Sequence, residues 1–79
     1  MTLDAFEHTK AARIVAVDWA ALAEDEAKRL KALGVDEGAE VAVIHRGIFG
    51  TRDPLAIRIG RMTIALRRAH ALAIEVEPA

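Results

Sequence analysis

The clearest pattern of hydrophobic and polar positions lies between residues 54 and 66. Large aliphatic side chains alternate there with small or polar ones in two short runs, and a Gly-Arg pair at positions 60 and 61 separates the runs. Alternation with a period of two is typical of half-buried strands, and a two-residue connection with glycine first suits a type II′ hairpin turn. The pattern predicts a β-hairpin whose inward side chains are Leu55, Ile57, Ile59, Met62, Ile64 and Leu66.

Three further strands are predicted from short runs rich in β-branched residues. They cover residues 12–17, residues 40–46 and residues 74–76, and in the second of them Val41 and Val43 should point inward. Residues 67–73 lie between the hairpin and the last strand and are long enough for one or two helical turns. The chain therefore contains five predicted strands.

From Trp19 to Gly34 the composition changes to residues that favour helices, chiefly Ala, Leu, Glu and Lys. Ala23, Ala27 and Leu30 lie on one stripe of such a helix, which predicts one long helix between the first two strands. Gly34 can adopt the left-handed conformation that ends a helix, so that the next residue folds back on Leu30. We also expect ion pairs four residues apart, Glu24 with Lys28 and Asp25 with Arg29.

Five short strands and one long helix predict a small, mostly β domain. The 79 residues have room for one hydrophobic core, so a single domain over residues 1–79 is expected. A sheet this small protects its edges best by closing on itself. We predict a partly open five-stranded β-barrel, with the long helix between strands 1 and 2 and a short helix before the last strand.

The composition argues against several classes of chemistry. The chain contains no Ser, Cys or Tyr, and its glycines do not form a phosphate-binding loop. We therefore expect no enzyme, no catalytic residues and no cofactor. The lack of cysteine fits a reducing compartment, and neither a signal peptide nor a membrane-spanning stretch is recognisable, so a cytoplasmic location is expected.

Histidines are the remaining candidate metal ligands. His8, His45 and His70 are spread over the chain, and no two of them stand at the spacing of three or four residues that metal sites on helices use. The sequence therefore predicts no metal site. The alternative is a weak ferrous site in which His70 is joined by Glu75 or Glu77.

Charge is distributed unevenly, and this suggests a surface for a partner. Residues 45–68 contain six arginines and a single acidic residue, Asp53. Within this segment Ile48 and Phe49 stand between two glycines, with no periodicity that would bury them. An apolar anchor ringed by charge is typical of protein interfaces, although a lid over the core is the alternative. The candidate partner-binding residues are Arg46, Ile48, Phe49, Arg52, Arg58 and Arg61.

Three short motifs in order resemble the FeoA family, and the resemblance covers nearly the whole chain. They are Leu33-Gly34-Val35-x-x-Gly38, Asp53-Pro54-Leu55 and Ile64-Ala65-Leu66-Arg67-Arg68. The resemblance implies a Src-homology-3-like barrel and a cytoplasmic, non-enzymatic accessory of ferrous iron uptake. Its implied partner is the cytosolic part of FeoB, a GTPase-containing membrane transporter, which could recruit it to the inner face of the membrane. For the family as a whole it also implies binding of transition metal ions.

Two other functions remain open at this point. A small barrel that binds nucleic acid could use the six arginines, although Phe49 is the only aromatic residue near them and stacking needs more. A detached metal-responsive regulator domain is the other alternative, although these 79 residues contain no helix-turn-helix unit.

Overall fold

Five strands and two helices make up the part of the chain that the computed structural model describes, residues 1–6, 10–46 and 54–79. Short 3₁₀ turns at Leu3–Ala5 and Trp19–Ala21 precede the first strand and the first helix. The strands are β1 (Ala11–Val17), β2 (Glu40–Arg46), β3 (Leu55–Ile59), β4 (Met62–Leu66) and β5 (Ile74–Pro78), and the helices are α1 (Glu24–Ala32) and α2 (Arg68–Ala71).

All strands belong to one antiparallel sheet, in the order β4-β3-β2-β1-β5. The register shifts between Ile14 and Ala16 in β1 and between Val43 and His45 in β2. Bulges of this kind bend a strand and increase its twist, which curls a small sheet toward a barrel. Since β4 and β5 stand at opposite ends of the order, the barrel is open between them. The predicted partly open five-stranded barrel is confirmed.

The predicted hairpin is confirmed in its register. Ile59 pairs with Met62 across the Gly60-Arg61 turn, and Gly60 has the positive φ, +59°, that the turn requires. Leu55, Ile57, Ile59 and Leu66 are buried, and Ile64 is half-buried against the core. The prediction for Met62 is wrong, because its side chain is 43% exposed at the end of a strand that pairs with a single neighbour among the described strands.

The prediction of one continuous helix from Trp19 is also wrong. A 3₁₀ turn ends at Ala21, and Leu22 and Ala23 are extended, so α1 begins only at Glu24. The break directs Leu22 into the core, where it is buried, and leaves Trp19 packed against the rim of the core. The first turn of α1 is acidic, as the positive end of a helix favours.

The predicted end of α1 is confirmed. Gly34 has a φ of +96°, and its N–H donates to the carbonyl of Lys31 at 3.0 Å. The N–H of Val35 donates back to the carbonyl of Leu30 at 2.9 Å, which completes a Schellman motif. Leu30 and Val35 are both fully buried, so this turn fixes α1 on the core and directs the chain into β2.

Candidate protein-binding surface

Two of the six predicted partner-binding residues are fully described, and both are exposed. Arg58 lies in the middle of β3, and Arg61 lies in the turn that leads to β4. Arg46 is the last residue of β2, where it pairs with Leu55. Ile48, Phe49 and Arg52 lie outside the described residues, so their part in a binding surface stays a prediction.

The outer face of the sheet beside Arg58 is shallow because its neighbours are small. Ala11, Ala42, Arg58 and Thr63 follow one another across four strands in register. A groove of 230 Å³ lies here, and Glu40 supplies the acidic group in its lining. Because its other side chains are small, this face has room for a side chain of a partner. Arg58 and Glu40 are the charged groups that could bind it.

A larger cleft, of 340 Å³, lies where α1, the end of β4 and α2 meet. Its walls come from residues far apart in the chain. They are Glu26 and Arg29 of α1, Pro54 before β3, Ala65 of β4, and Arg67 and His70 around α2.

Glu26 is the centre of the charges in this cleft. Its Oε1 lies 2.9 Å from Nη2 of Arg29 and 3.6 Å from Nδ1 of His70, and Glu26 and His70 are mostly buried. Nη2 of Arg29 also donates a long hydrogen bond, 3.5 Å, to the carbonyl of Ala65. Since the carboxylate of Glu26 is already paired, Arg67 gives the cleft an excess of positive charge. The cleft is therefore suited to an anionic group.

This geometry corrects one predicted ion pair and confirms another. Arg29 pairs with Glu26 and not with Asp25, because the guanidinium turns toward β4. The carboxylate of Asp25 accepts the N–H of Glu26 at 2.9 Å. The expected pair of Glu24 with Lys28 is present at 3.5 Å.

The alternative metal site at His70 does not have the expected partners. Glu75 pairs with the α-amino group of Met1 at 3.3 Å and Glu77 with Arg13 at 3.7 Å, whereas His70 faces Glu26. Within residues 1–6, 10–46 and 54–79, no group of three or more His, Asp or Glu side chains could hold a metal ion. Nor does a helix in these ranges have the length and hydrophobicity to cross a membrane.

A buried carboxylate ties the first turn of the chain to α2, and sequence reasoning missed it. Asp4 is only 4% exposed, and its Oδ2 lies 3.4 Å from Nε of Arg68. The one available signal was an acidic residue between two large apolar ones, Leu3 and Phe6. Arg68 is thus paired with a carboxylate of the fold. It is therefore a weaker candidate than the other arginines for contact with a nucleic acid.

The open five-stranded barrel, with its helix inserted between β1 and β2, belongs to the class of small domains with an SH3-like fold. The family model of the FeoA domain matches residues 1–78. The chain therefore belongs to the FeoA family, and the resemblance carried by the three motifs is confirmed.

Solved structures of FeoA proteins share the fold along nearly the whole chain. The FeoA protein of Stenotrophomonas maltophilia has a TM-score of 0.77 at 30% identity, and the match covers 98% of this chain and 89% of that one. It is described as a complex with zinc, as a procaryotic SH3 domain protein, and as a suggested ferrous iron transport activating factor. The FeoA protein of Chlorobium tepidum has a TM-score of 0.83 at 27% identity, covering 99% and 70% of the two chains.

Iron(II) transport protein A of Clostridium thermocellum has a TM-score of 0.82 at 27% identity. The match covers 99% of this chain but 45% of that one, so this chain spans less than half of that relative's length. A search of the curated proteins found no match.

Proposed function

We propose that this protein is a cytosolic, non-enzymatic accessory factor of ferrous iron uptake. It acts by contact with the cytosolic part of a FeoB-type transporter, which recruits it to the inner face of the cell membrane. The observation that carries this proposal is the FeoA family match over residues 1–78, on a fold shared with FeoA proteins named for iron transport.

The described surface supports a role by contact. Arg58, Arg61 and Arg67 are exposed and form no ion pair with another described residue. Guanidinium groups free of partners can steer an acidic protein surface into place and then hydrogen-bond to its carboxylates. The two clefts are lined by small side chains together with basic and acidic ones, which suit recognition of another protein.

The experiment that tests the proposal is direct binding to the purified cytosolic part of the FeoB-type transporter from the same organism. Isothermal titration should show saturable binding that weakens as salt rises, because the arginines proposed to steer the partner, Arg58, Arg61 and Arg67, are cationic. A GTPase of similar net charge from another pathway is the control and should not bind. Binding of a nucleic acid in preference to the transporter would contradict the proposal.

The predicted partner-binding residues sharpen this experiment. Phe49→Ala should weaken transporter binding by about 1 to 3 kcal/mol with little change in melting temperature, as an exposed anchor does. Arg46→Glu or Arg52→Glu should mainly slow association at low salt. Lys28→Glu, on the exposed face of α1, is the matched charge control. If Phe49→Ala unfolds the domain instead, Phe49 is a lid of the core and the interface lies elsewhere.

A further inference from the structure

Among the strands that the structure describes, β4 is an edge strand of the sheet and is paired with β3 on one side only. The carbonyl of Ala65 meets Arg29 of α1, so it points away from β3. In an antiparallel ladder, alternate residues direct both backbone groups to the same side. Thr63 and Ala65 therefore direct their N–H and C=O groups away from β3, and the carbonyl oxygen of Ala65 has a second lone pair besides the one that accepts from Arg29. These are the groups to which a further strand would hydrogen-bond.

The cleft between α1 and β4 provides space at one end of this edge. Ala65 lines it on the side of the strand, and Arg29 and Glu26 line it on the side of the helix. Its 340 Å³ lies within the range of sites that hold small ligands. The end of an extended segment laid along β4 would enter it.

Arginines flank the edge at both ends. Arg61 precedes β4, Arg67 follows it, and Arg58 lies across from Thr63 on the outer face of the sheet. All three are exposed, and none is neutralised by a described carboxylate. A strand added here would place its own ends beside positive charges.

The same charges disfavour a second copy of this chain on the edge. If two β4 strands paired antiparallel with Thr63 opposite the second copy's Ala65, Arg61 would face the second copy's Arg67 at each end. Like charges directly opposite each other in a ladder are destabilising. Charge complementarity therefore selects a partner strand with acidic residues near both ends.

We infer that the open edge of β4 binds an extended acidic segment of a partner protein, which joins the sheet as a sixth strand. Thr63 and Ala65 supply the backbone hydrogen bonds, while Arg61 and Arg67 hold the acidic ends. This inference rests on the proposed function, in which the domain acts by contact with another protein. Backbone pairing gives such a site affinity, and the flanking charges give it selectivity.

The first test uses synthetic peptides and NMR spectroscopy of the whole chain. The probe is a blocked peptide, Glu-Val-Thr-Val-Thr-Glu, compared with a version that has Lys for Glu and with a fully N-methylated version. The acidic peptide should shift the amide signals of Thr63 and Ala65 and slow their hydrogen exchange, because these N–H groups become paired. Both control peptides should bind at least about tenfold more weakly, through like charge or lost backbone donors.

Variants of the chain localise the binding. Thr63→Pro removes an outward N–H and keeps the pairing with β3, as proline on an edge strand can. Arg67→Glu reverses a flanking charge, and Lys28→Glu is its control away from the cleft. The first two substitutions should weaken binding of the acidic peptide about tenfold, and the control substitution should leave it unchanged. If Thr63→Pro fails to fold, Arg61→Glu combined with Arg67→Glu carries the test.

Several outcomes would overturn the inference. They are equal binding of acidic and lysine peptides, shifts confined to residues away from β4, or dimerisation that protects Thr63 and Ala65 from exchange.

The transporter assay separates this inference from the proposed function. Should the transporter bind wild type, Thr63→Pro and Arg67→Glu equally, the edge is not the site but the function stands. Should the acidic peptide bind the edge and the transporter not bind at all, the proposed partner is wrong.

Discussion

Two regions of the molecule differ in how far apart in the chain their contacting residues lie. One is the β3–β4 hairpin. The other is the α1–α2 corner, which consists of Asp4, Glu26, Arg29, Arg68 and His70. In the hairpin, the most distant pair is Leu55 with Leu66, and it closes around a two-residue turn. In the α1–α2 corner, Glu26 meets His70 and Asp4 meets Arg68. The hairpin buries aliphatic side chains, whereas the corner is held by ions, several of them half-exposed.

This difference shows which region contributes more to stability and which region places charged groups where a ligand can bind. Burial of a large aliphatic side chain contributes about 1.5 to 3 kcal/mol, whereas an exposed ion pair contributes at most about 1 kcal/mol. The hairpin should therefore contribute more than the corner to the free energy of unfolding. The corner contributes less to stability but places charged groups around a cleft, where a ligand can reach them.

The largest effect is expected in the hairpin. Ile57 is fully buried, so Ile57→Ala should lower the free energy of unfolding by about 2 to 4 kcal/mol through the cavity it leaves. Met62→Ala is the matched control on the facing strand and should cost far less, because Met62 is exposed. Urea denaturation measures both. Similar losses for the two variants would contradict the inward and outward assignment of these side chains.

The next effect separates two neighbouring arginines. Arg68→Gln should cost about 1 to 3 kcal/mol, because the buried carboxylate of Asp4 loses a cationic partner. Arg67→Gln should leave the melting temperature nearly unchanged, since Arg67 is exposed and lines the cleft. Thermal melts at neutral pH distinguish them. Equal stability of the two variants would mean that the contact with Asp4 adds nothing to the fold.

Gly34 connects the two regions, because it ends α1 and its Cα lies near Ile59 of the hairpin. Gly34→Ala should cost about 1 to 2 kcal/mol, since alanine disfavours positive φ. A Cβ there would meet Cδ1 of Ile59 at 3.7 Å, an ordinary contact, so the cost comes from the backbone. Gly34→Asn should therefore recover part of the loss in urea denaturation. If Asn is no better than Ala, packing against Ile59 is the cause instead.

The smallest effects concern the ion pairs of α1. Lys28→Ala breaks an exposed pair with Glu24 and should cost less than about 0.5 kcal/mol. Arg29→Ala should cost more, up to about 1 kcal/mol, because Arg29 pairs with the mostly buried Glu26 and reaches β4. Raising the salt concentration should reduce both losses. A salt-independent loss in Arg29→Ala would point to packing of its aliphatic stem.

The part of the fold that could be predicted is the part with local signals. The alternation around Ile57 and Ile64, the Gly60-Arg61 turn and the Gly34 helix end each lie within a few residues of their cause. The start of α1 could not be predicted in this way, because helix propensity continues through Leu22. The extended conformation of Leu22 results from burial of its side chain in the core, to which residues distant in the chain also contribute.

The candidate site was predicted only in part for the same reason. The exposure of Arg58 and Arg61 follows from their places in the hairpin. The cleft does not, because it depends on α1 and α2 meeting at the end of β4, and nothing near His70 in the sequence indicates Glu26. Ile48, Phe49 and Arg52 lie outside the described residues, and their role stays a prediction.

The pairing of β1 with β5 has a consequence for the order in which the molecule assembles. Ala12 pairs with Pro78, so this ladder closes a loop that contains almost the whole chain. Closing so long a loop costs conformational entropy before the contacts that stabilise it can form. A hairpin closes a short loop and forms in about 1 to 10 μs. We therefore expect the β3–β4 hairpin to form early and the β1–β5 ladder to form last. Until that final step, one edge of β1 stays open to pairing with another chain, so the time before closure is the interval in which aggregation competes with folding.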